Sequence, residues 1–385
     1  MAHQDLMLRI TGYSDRFSAR PGETVKFHVN SEFNEDYETK IVRLIHGDTN
    51  PDGPGYKEEE IETSISGSHK GENQPLYSGS YIFVPHCEFM DVDSFTLCAL
   101  IYPTTPVTDT EGVNVGTQGL LTKFDEASET GFGLFINEDG ELTLRLGAGK
   151  GKVQSFSTGK PLFRKVWYKV AASYNAETGE VRLMQQAHVT NTNGGHGMSM
   201  LHPLEDTNDT VTASASGAHV NNDAPFLMAA STAAVNSGRT ICGDHFKEVT
   251  TPLEIPVNTY NYNGKIERPK FLNKAATPTE IELMFASAGV EHIPNELRGS
   301  LVGAWDFSAN MEKNAASPTV YDMSPTRLHG HGINLPIRGV PGFNWSSAYM
   351  SFLHGPKSTA PSIFMTSQSM MHGGKLHSNL PSLRT

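Results

Sequence analysis

The sequence predicts an all-β protein built as a small sandwich followed by a large one. Three observations carry that prediction. Short apolar and β-branched runs recur along most of the chain, turn residues punctuate them (36 Gly and 22 Pro), and only one segment carries a strong helix-start signal. At 385 residues the chain exceeds what one compact core usually absorbs, so two domains are the starting expectation. Hydrophobic residues make up 37%, with 19 Phe, 12 Tyr and 3 Trp, which excludes wholesale disorder. The formal charge of -12, from 30 basic and 42 acidic residues, leaves no electrostatic footprint for a phosphate backbone and excludes nucleic acid as a partner.

The elements follow in order. Leu6 to Ile10, Thr24 to Val29, Lys40 to Ile45 and Glu60 to Ile65 alternate as short strands around the Arg20-Pro-Gly-Glu23 turn, and an immunoglobulin-like sandwich is the expected arrangement for residues 1–74. From Leu76 the runs lengthen. Ser80–Val84, Phe95–Tyr102, Gly119–Lys123, Gly131–Ile136, Leu142–Leu146, Trp167–Tyr174 and Val181–Met184 read as successive strands, with hairpin signals at Asn137–Gly140 and Asn175–Gly179. A polar excursion is expected from Thr190 to Asp223, after which strands resume at Pro225–Ala230 and Tyr262–Arg268. Thr277, Pro278 and Glu280 form a capping box with proline at the first helical position, predicting one short helix over 278–288. Leu301–Phe307 reads as the closing strand of the large sandwich.

Cys87, Cys98 and Cys242 contain no C-x-x-C pair and suggest neither a disulfide framework nor a thiolate zinc site. With no apolar signal region at the N-terminus and no 18-residue apolar run, the expectation is a soluble, cytoplasmic protein with no membrane partner. The charge is uneven, because the last 63 residues contain no Asp or Glu.

Asp48, Asn50, Asp52 and Glu59, with Gly53 between them, fit the spacing of a calcium loop. The same residues suit an ordinary Asx-turn loop, which the flanking strand at Val42–Ile45 and the prolines Pro51 and Pro54 favour. His329 and His331 stand two apart, as paired metal ligands on a strand would, with His46 as a third candidate; a glycine-rich structural loop is the competing reading. His196 and His202 read as solvated surface. No nucleophile elbow occurs, and neither Asp91-Val-Asp93 nor Glu138-Asp139 reproduces the spaced acidic pair of a glycosidase, so no catalytic and no cofactor-binding residue is assigned. Trp167, Tyr168, Tyr174, Tyr260 and Tyr262 read as core aromatics or, alternatively, as a sugar-stacking platform.

The runs Phe95–Pro103, Gln118–Lys123, Gly131–Gly140 and Trp167–Tyr174, closed by Ala304-Trp-Asp-Phe307, resemble a laminin-G or concanavalin-like jelly roll. The flanks carry a narrower resemblance. Tyr13–Arg16, Pro21–Thr24, Val42–Asp48, Asn50–Gly55 and Leu328–Pro336 resemble the N-terminal half of the N,N-dimethylformamidase large subunit. That resemblance implies hydrolysis of the formamide bond to dimethylamine and formate. It also implies a mononuclear iron held by two tyrosines and a glutamate in a C-terminal domain, a small-subunit partner and homo-oligomer contacts. This chain is expected to hold the non-catalytic part, without the iron ligands. The implied organisation is a small sandwich over 1–74, a jelly roll over 75–310, a connector over 311–356 to an absent C-terminal domain, and an irregular tail over 357–385, as a truncated frame would leave. A lectin-like carbohydrate- or protein-binding module without catalysis is the competing expectation.

Overall fold

The computed structural model describes residues 9–14, 18–73, 77, 79–109, 111–188, 204–216, 220–241, 253–287, 289–309, 319–334, 336–340 and 362–365. The chain divides into two compact units, residues 1–76 and 77–385.

In the first unit, Ile10–Ser14 pairs with Phe27–Ser31, Tyr37–Thr39 with Gly67–His69, and Ile41–Gly47 with Tyr56–Ile61, all antiparallel. Among the described residues these are three separate two-stranded ladders, and the two facing sheets expected of an immunoglobulin-like sandwich are not seen there. The reason is visible in the burial. No large apolar side chain of the described part is buried, and Tyr13, Phe27, Phe33, Leu44 and Tyr56 are exposed.

In the second unit the strand pairings close into one circuit, but they fall into two faces. The first face runs Val153–Pro161, Glu141–Ala148, Thr130–Ile136, Gln118–Asp125, Phe226–Met228, Tyr81–Val84, Gly330–Ile333 and Thr319–Asp322. The second runs Asp209–Ser214, Glu180–Ala187, Tyr168–Tyr174, Phe95–Pro103, Gly264–Leu272 and Leu301–Asp306. Trp305 and Asp306 pair with Asp322 and Tyr321, joining the faces at one corner. Between them Phe95 stacks on Phe132 at 4.0 Å, and Phe226 lies between Phe271 and Trp305 at 5.4 and 5.1 Å.

The helix Pro278–Ala286 starts on the expected capping box. Thr277 Oγ1 accepts from the Glu280 amide, and Glu280 Oε2 accepts from the Thr277 amide at 2.8 Å. Ile281, Met284 and Phe285 on this helix cover the outer side of the second face, in a cluster with Leu100, Trp167 and Leu272. Phe95–Pro103 is therefore buried on both sides. That is why it reads as a continuous apolar run without alternation.

Several strands were not anticipated. Asp209–Ser214 lies inside the expected polar excursion and pairs with Glu180–Ala187. Thr319–Asp322 and Gly330–Ile333, expected in a connector, pair into the first face, and Ile337–Val340 pairs with Ser362–Met365, which lies in the expected irregular tail. The buried Asp322 carboxylate organises this segment: it accepts from the amides of Ala304, Ser324 and Leu328, each at 2.8 Å, and from the Ser324 and Thr326 hydroxyls. Arg338 adds three bonds, to the carbonyls of Phe307, Ala309 and Thr319.

Candidate functional site

Strand alternation places a polar groove on the outer side of the first face. In Glu141–Ala148, Leu142, Leu144 and Leu146 enter the core, so Thr143 and Arg145 project outward. On the neighbouring strand their register partners are Ser157 and Ser155. Phe132, Leu134 and Ile136 enter the core by the same alternation, so Phe135 between them faces outward. The Phe135 ring then lies 4.9 Å from the Arg145 guanidinium, whose other aromatic neighbour, Phe124, is at 4.6 Å. Arg145 also bridges Glu126, at 3.1 and 3.3 Å, and Glu126 accepts from the Ser231 hydroxyl at 2.8 Å. Burial raises the Glu126 carboxyl above its ordinary value, while Arg145 opposes the shift.

The groove has a volume of about 420 Å³, inside the roughly 300–1,000 Å³ typical of small-ligand clefts. Thr143 and Ser157 hydroxyls bond at 2.8 Å, and Asn137 Nδ2 donates to Ser157 and to Glu141. Asn137 Oδ1 accepts from the Asp139 and Glu141 amides, so the expected hairpin turn forms and sets Glu138 and Asp139 at the rim. At another edge stands Tyr260, 38% exposed, with a φ of 50°. Its carbonyl accepts from Gly119 at 2.7 Å, and Gly119 has no room for a Cβ because Ala230 backbone atoms would lie 2.7 Å away. A left-handed aromatic residue costs on the order of 1–3 kcal/mol, and such strain is concentrated at functional positions. The Thr143 and Ser157 hydroxyls bond each other, and Ser157 also accepts from Asn137.

A second polar cluster occupies one end of the sandwich. The buried Lys123 ammonium donates to the Asn222 carbonyl and to its side-chain oxygen, and lies 4.0 Å from Asp91. Burial pulls its pKa down to about 8, with Asp91 and Asp223 opposing. His86 Nε2 is 3.9 Å from Asp223, while its buried Nδ1 has no hydrogen-bond partner. The ammonium is fully enclosed by protein groups and fastens the Asn222 loop.

The residues singled out in the sequence fare differently. Asp48 accepts from the Asn50 amide and Asn50 from the Asp52 amide, as Asx turns do, while Glu59 sits on a strand beside Arg43 at 3.5 Å. These four are not brought together: no group of three or more His, Cys, Asp or Glu suited to a metal ion occurs among the described residues. His329 Nδ1 accepts from the Asp322 amide at 3.1 Å and its ring meets Tyr321 edge-on. His331 lies opposite Phe83, with its pKa lowered by burial and then by His329. His46 belongs to the first unit. Cys98 is buried and its thiol is pushed up to about 11 by burial, the signature of an inert core cysteine. His196, His202 and Cys242 lie outside the described residues.

Of the five aromatics weighed as a stacking platform, Trp167, Tyr168, Tyr174 and Tyr262 are buried, and Tyr260 alone lines the groove. Tyr168 donates to Thr207, and burial holds the Tyr262 phenol well above its ordinary value, so neither is available as a phenolate. Arg145 was not singled out in the sequence, although its place in Leu142-Thr-Leu-Arg-Leu146 marks it as facing outward; nothing local marked Glu126 or Lys123.

Residues 76–229 match the family model described as the Concanavalin A-like lectin/glucanases superfamily. The sandwich is concanavalin-like. The chain as a whole is 33% identical over 356 residues, or 91% of its length, to the N,N-dimethylformamidase beta subunit of Paracoccus aminophilus, and equally to that of an Alcaligenes species. It spans 42% of the length of each of these curated relatives. Among solved structures, a Bacteroides ovatus protein provisionally assigned to carbohydrate binding aligns with 76% of this chain and 69% of its own, at 15% identity and a TM-score of 0.43.

Proposed function

We propose that this chain is the concanavalin-like, non-catalytic portion of an amide hydrolase subunit of the N,N-dimethylformamidase kind, with a structural or subunit-packing role. The observation that carries this reading is the 33% identity over 91% of the chain against only 42% of each relative. The structural use of Tyr168 and Asp322 agrees with it. On this reading the iron and its ligands belong to a part of the subunit not represented in these 385 residues, and a small subunit and further copies are the partners, in the cytoplasm. The test is dimethylamine release from N,N-dimethylformamide by the purified chain, before and after co-expression with the remaining part of the Paracoccus aminophilus beta subunit and its small subunit. The chain alone releases none and co-purifies with those parts; turnover by the chain alone overturns the non-catalytic role.

A further inference from the structure

We propose that the ladder of Ile41–Gly47 and Tyr56–Ile61 is a docking surface for the part of the amide hydrolase subunit that these 385 residues do not represent. The proposal rests on the amide-hydrolase reading and adds to it the surface through which the two parts meet.

Register sorts the ladder's side chains into two faces. Ile41 pairs with Ile61 and Arg43 with Glu59 on one face, while Val42 pairs with Glu60 and Leu44 with Glu58 on the other. The register shift between Leu44 and His46 absorbs one residue, so the Gly47 and Tyr56 pair falls on the same side as Leu44. Leu44 then lies over Gly47, where a Cβ would stand 3.2 Å from Leu44 Cδ2. Val42, Leu44 and Tyr56 therefore share one side, with Leu44 56% and Tyr56 57% exposed.

One exposed apolar residue is ordinary, but a concentration of them marks an interface. Of the fifteen large apolar side chains exposed among the described residues, nine lie between Ile10 and Ile65, in much the smaller unit. The two edges of the ladder differ as well. Lys57 to Glu60 blunts one with charge, whereas Ile41-Val-Arg-Leu-Ile45 carries a single charge and, among the described residues, pairs with no strand on its far side. That edge is open to an added strand.

Two observations name the occupant. The match to the curated relatives covers 91% of this chain, so it leaves out about 35 residues and includes 40–345 whichever end they come from. The relatives thus carry this ladder in subunits of which more than half lies outside the match. Charge gives the chemistry of the contact. Lys40 and the Tyr56 hydroxyl engage Glu58 at 2.9 and 2.7 Å, and Arg43 faces Glu59 at 3.5 Å. Glu60, opposite Val42, is exposed and has no ion pair among the described residues. The ladder therefore suits an apolar strand that brings a lysine or arginine to Glu60.

The experiment is hydrogen exchange and sedimentation on the full chain, alone and co-expressed with the remaining part of the Paracoccus aminophilus beta subunit. The amides of Ile41–Gly47 exchange fast in the chain alone and slow at least about tenfold in the complex. Leu44→Glu and Tyr56→Ala weaken the association at least about tenfold, and Glu60→Lys weakens it by reversing the charge, whereas Leu44→Met keeps it within about twofold. Phe89→Glu, at a comparably exposed aromatic of the second unit, leaves the association unchanged. Every variant keeps the parent's melting of the sandwich, because no altered side chain is buried. Association that leaves the Ile41–Gly47 amides unprotected, or that Leu44→Glu does not weaken, overturns the docking surface and leaves the hydrolase reading standing. Absence of association overturns both. Slow exchange in the chain alone also overturns the proposal: the ladder is then covered within the chain, or by a second copy where sedimentation shows a dimer.

Discussion

Lys123 shows how a single side chain links burial to pH. Its ammonium is fully buried, and desolvation lowers its pKa to about 8 despite the nearby Asp91 and Asp223 carboxylates. The unfolded chain keeps this lysine near its ordinary value of about 10.4, so between about pH 8 and 10 the unfolded state binds more protons than the folded one. The stability contributed by Lys123 therefore rises with pH through that window, and the penalty for its charge is present in full below it. Urea denaturation at pH 7.5 and pH 9.5 tests this: the stability of the parent relative to Lys123→Met increases by about 1–2 kcal/mol at the higher pH. An unchanged difference would mean that the ammonium is more solvated than its enclosure indicates. No local pattern identified Lys123, because Gln118–Asp125 reads as an ordinary strand and the Asn222 loop that encloses the lysine arrives from 99 residues away.

Among the elements, the helix Pro278–Ala286 was the most legible. Its start is encoded within four residues, and Thr277 and Glu280 exchange the expected bonds. Thr277→Ala is expected to cost about 1 kcal/mol by chemical denaturation, and Met284→Ala, which opens the cluster beneath the helix, about 2–5 kcal/mol. Equal costs would show that the helix end, not its packing, controls this layer. The long apolar strands were equally legible, since burial between two layers leaves a hydrophobic run. Strands such as Asp209–Ser214 and Val153–Pro161 were not, because their Thr, Ser and Asp side chains look like loop until a partner strand takes up their backbone groups. The groove inherits this limit. Its outward-facing residues are legible one strand at a time, but their convergence depends on the pairing register between strands.

At the scale of the molecule, the two units differ in kind. The concanavalin-like unit has a continuous core, whereas the described ladders of the first unit bury no large apolar side chain. Two-stranded ladders without a core are marginal in water, so hydrogen exchange is expected to be fast across Phe27–Ser31, Ile41–Gly47 and Tyr56–Ile61 and slow across Phe95–Pro103 and Tyr168–Tyr174. Slow exchange in the first three would show that another surface covers them in solution. The sequence by itself determined the all-β class, the capped helix, the main sandwich strands and the resemblance to one amide hydrolase subunit, because period, capping and turn chemistry are local. Only the tertiary structure decided that the six described N-terminal strands form three ladders and that Thr319–Asp322 and Gly330–Ile333 fold into the sandwich. It alone brought Arg145, Asn137 and Tyr260 around one groove, with Glu126 paired to Arg145, because those contacts join residues far apart in the chain through strand pairing that no local pattern specifies.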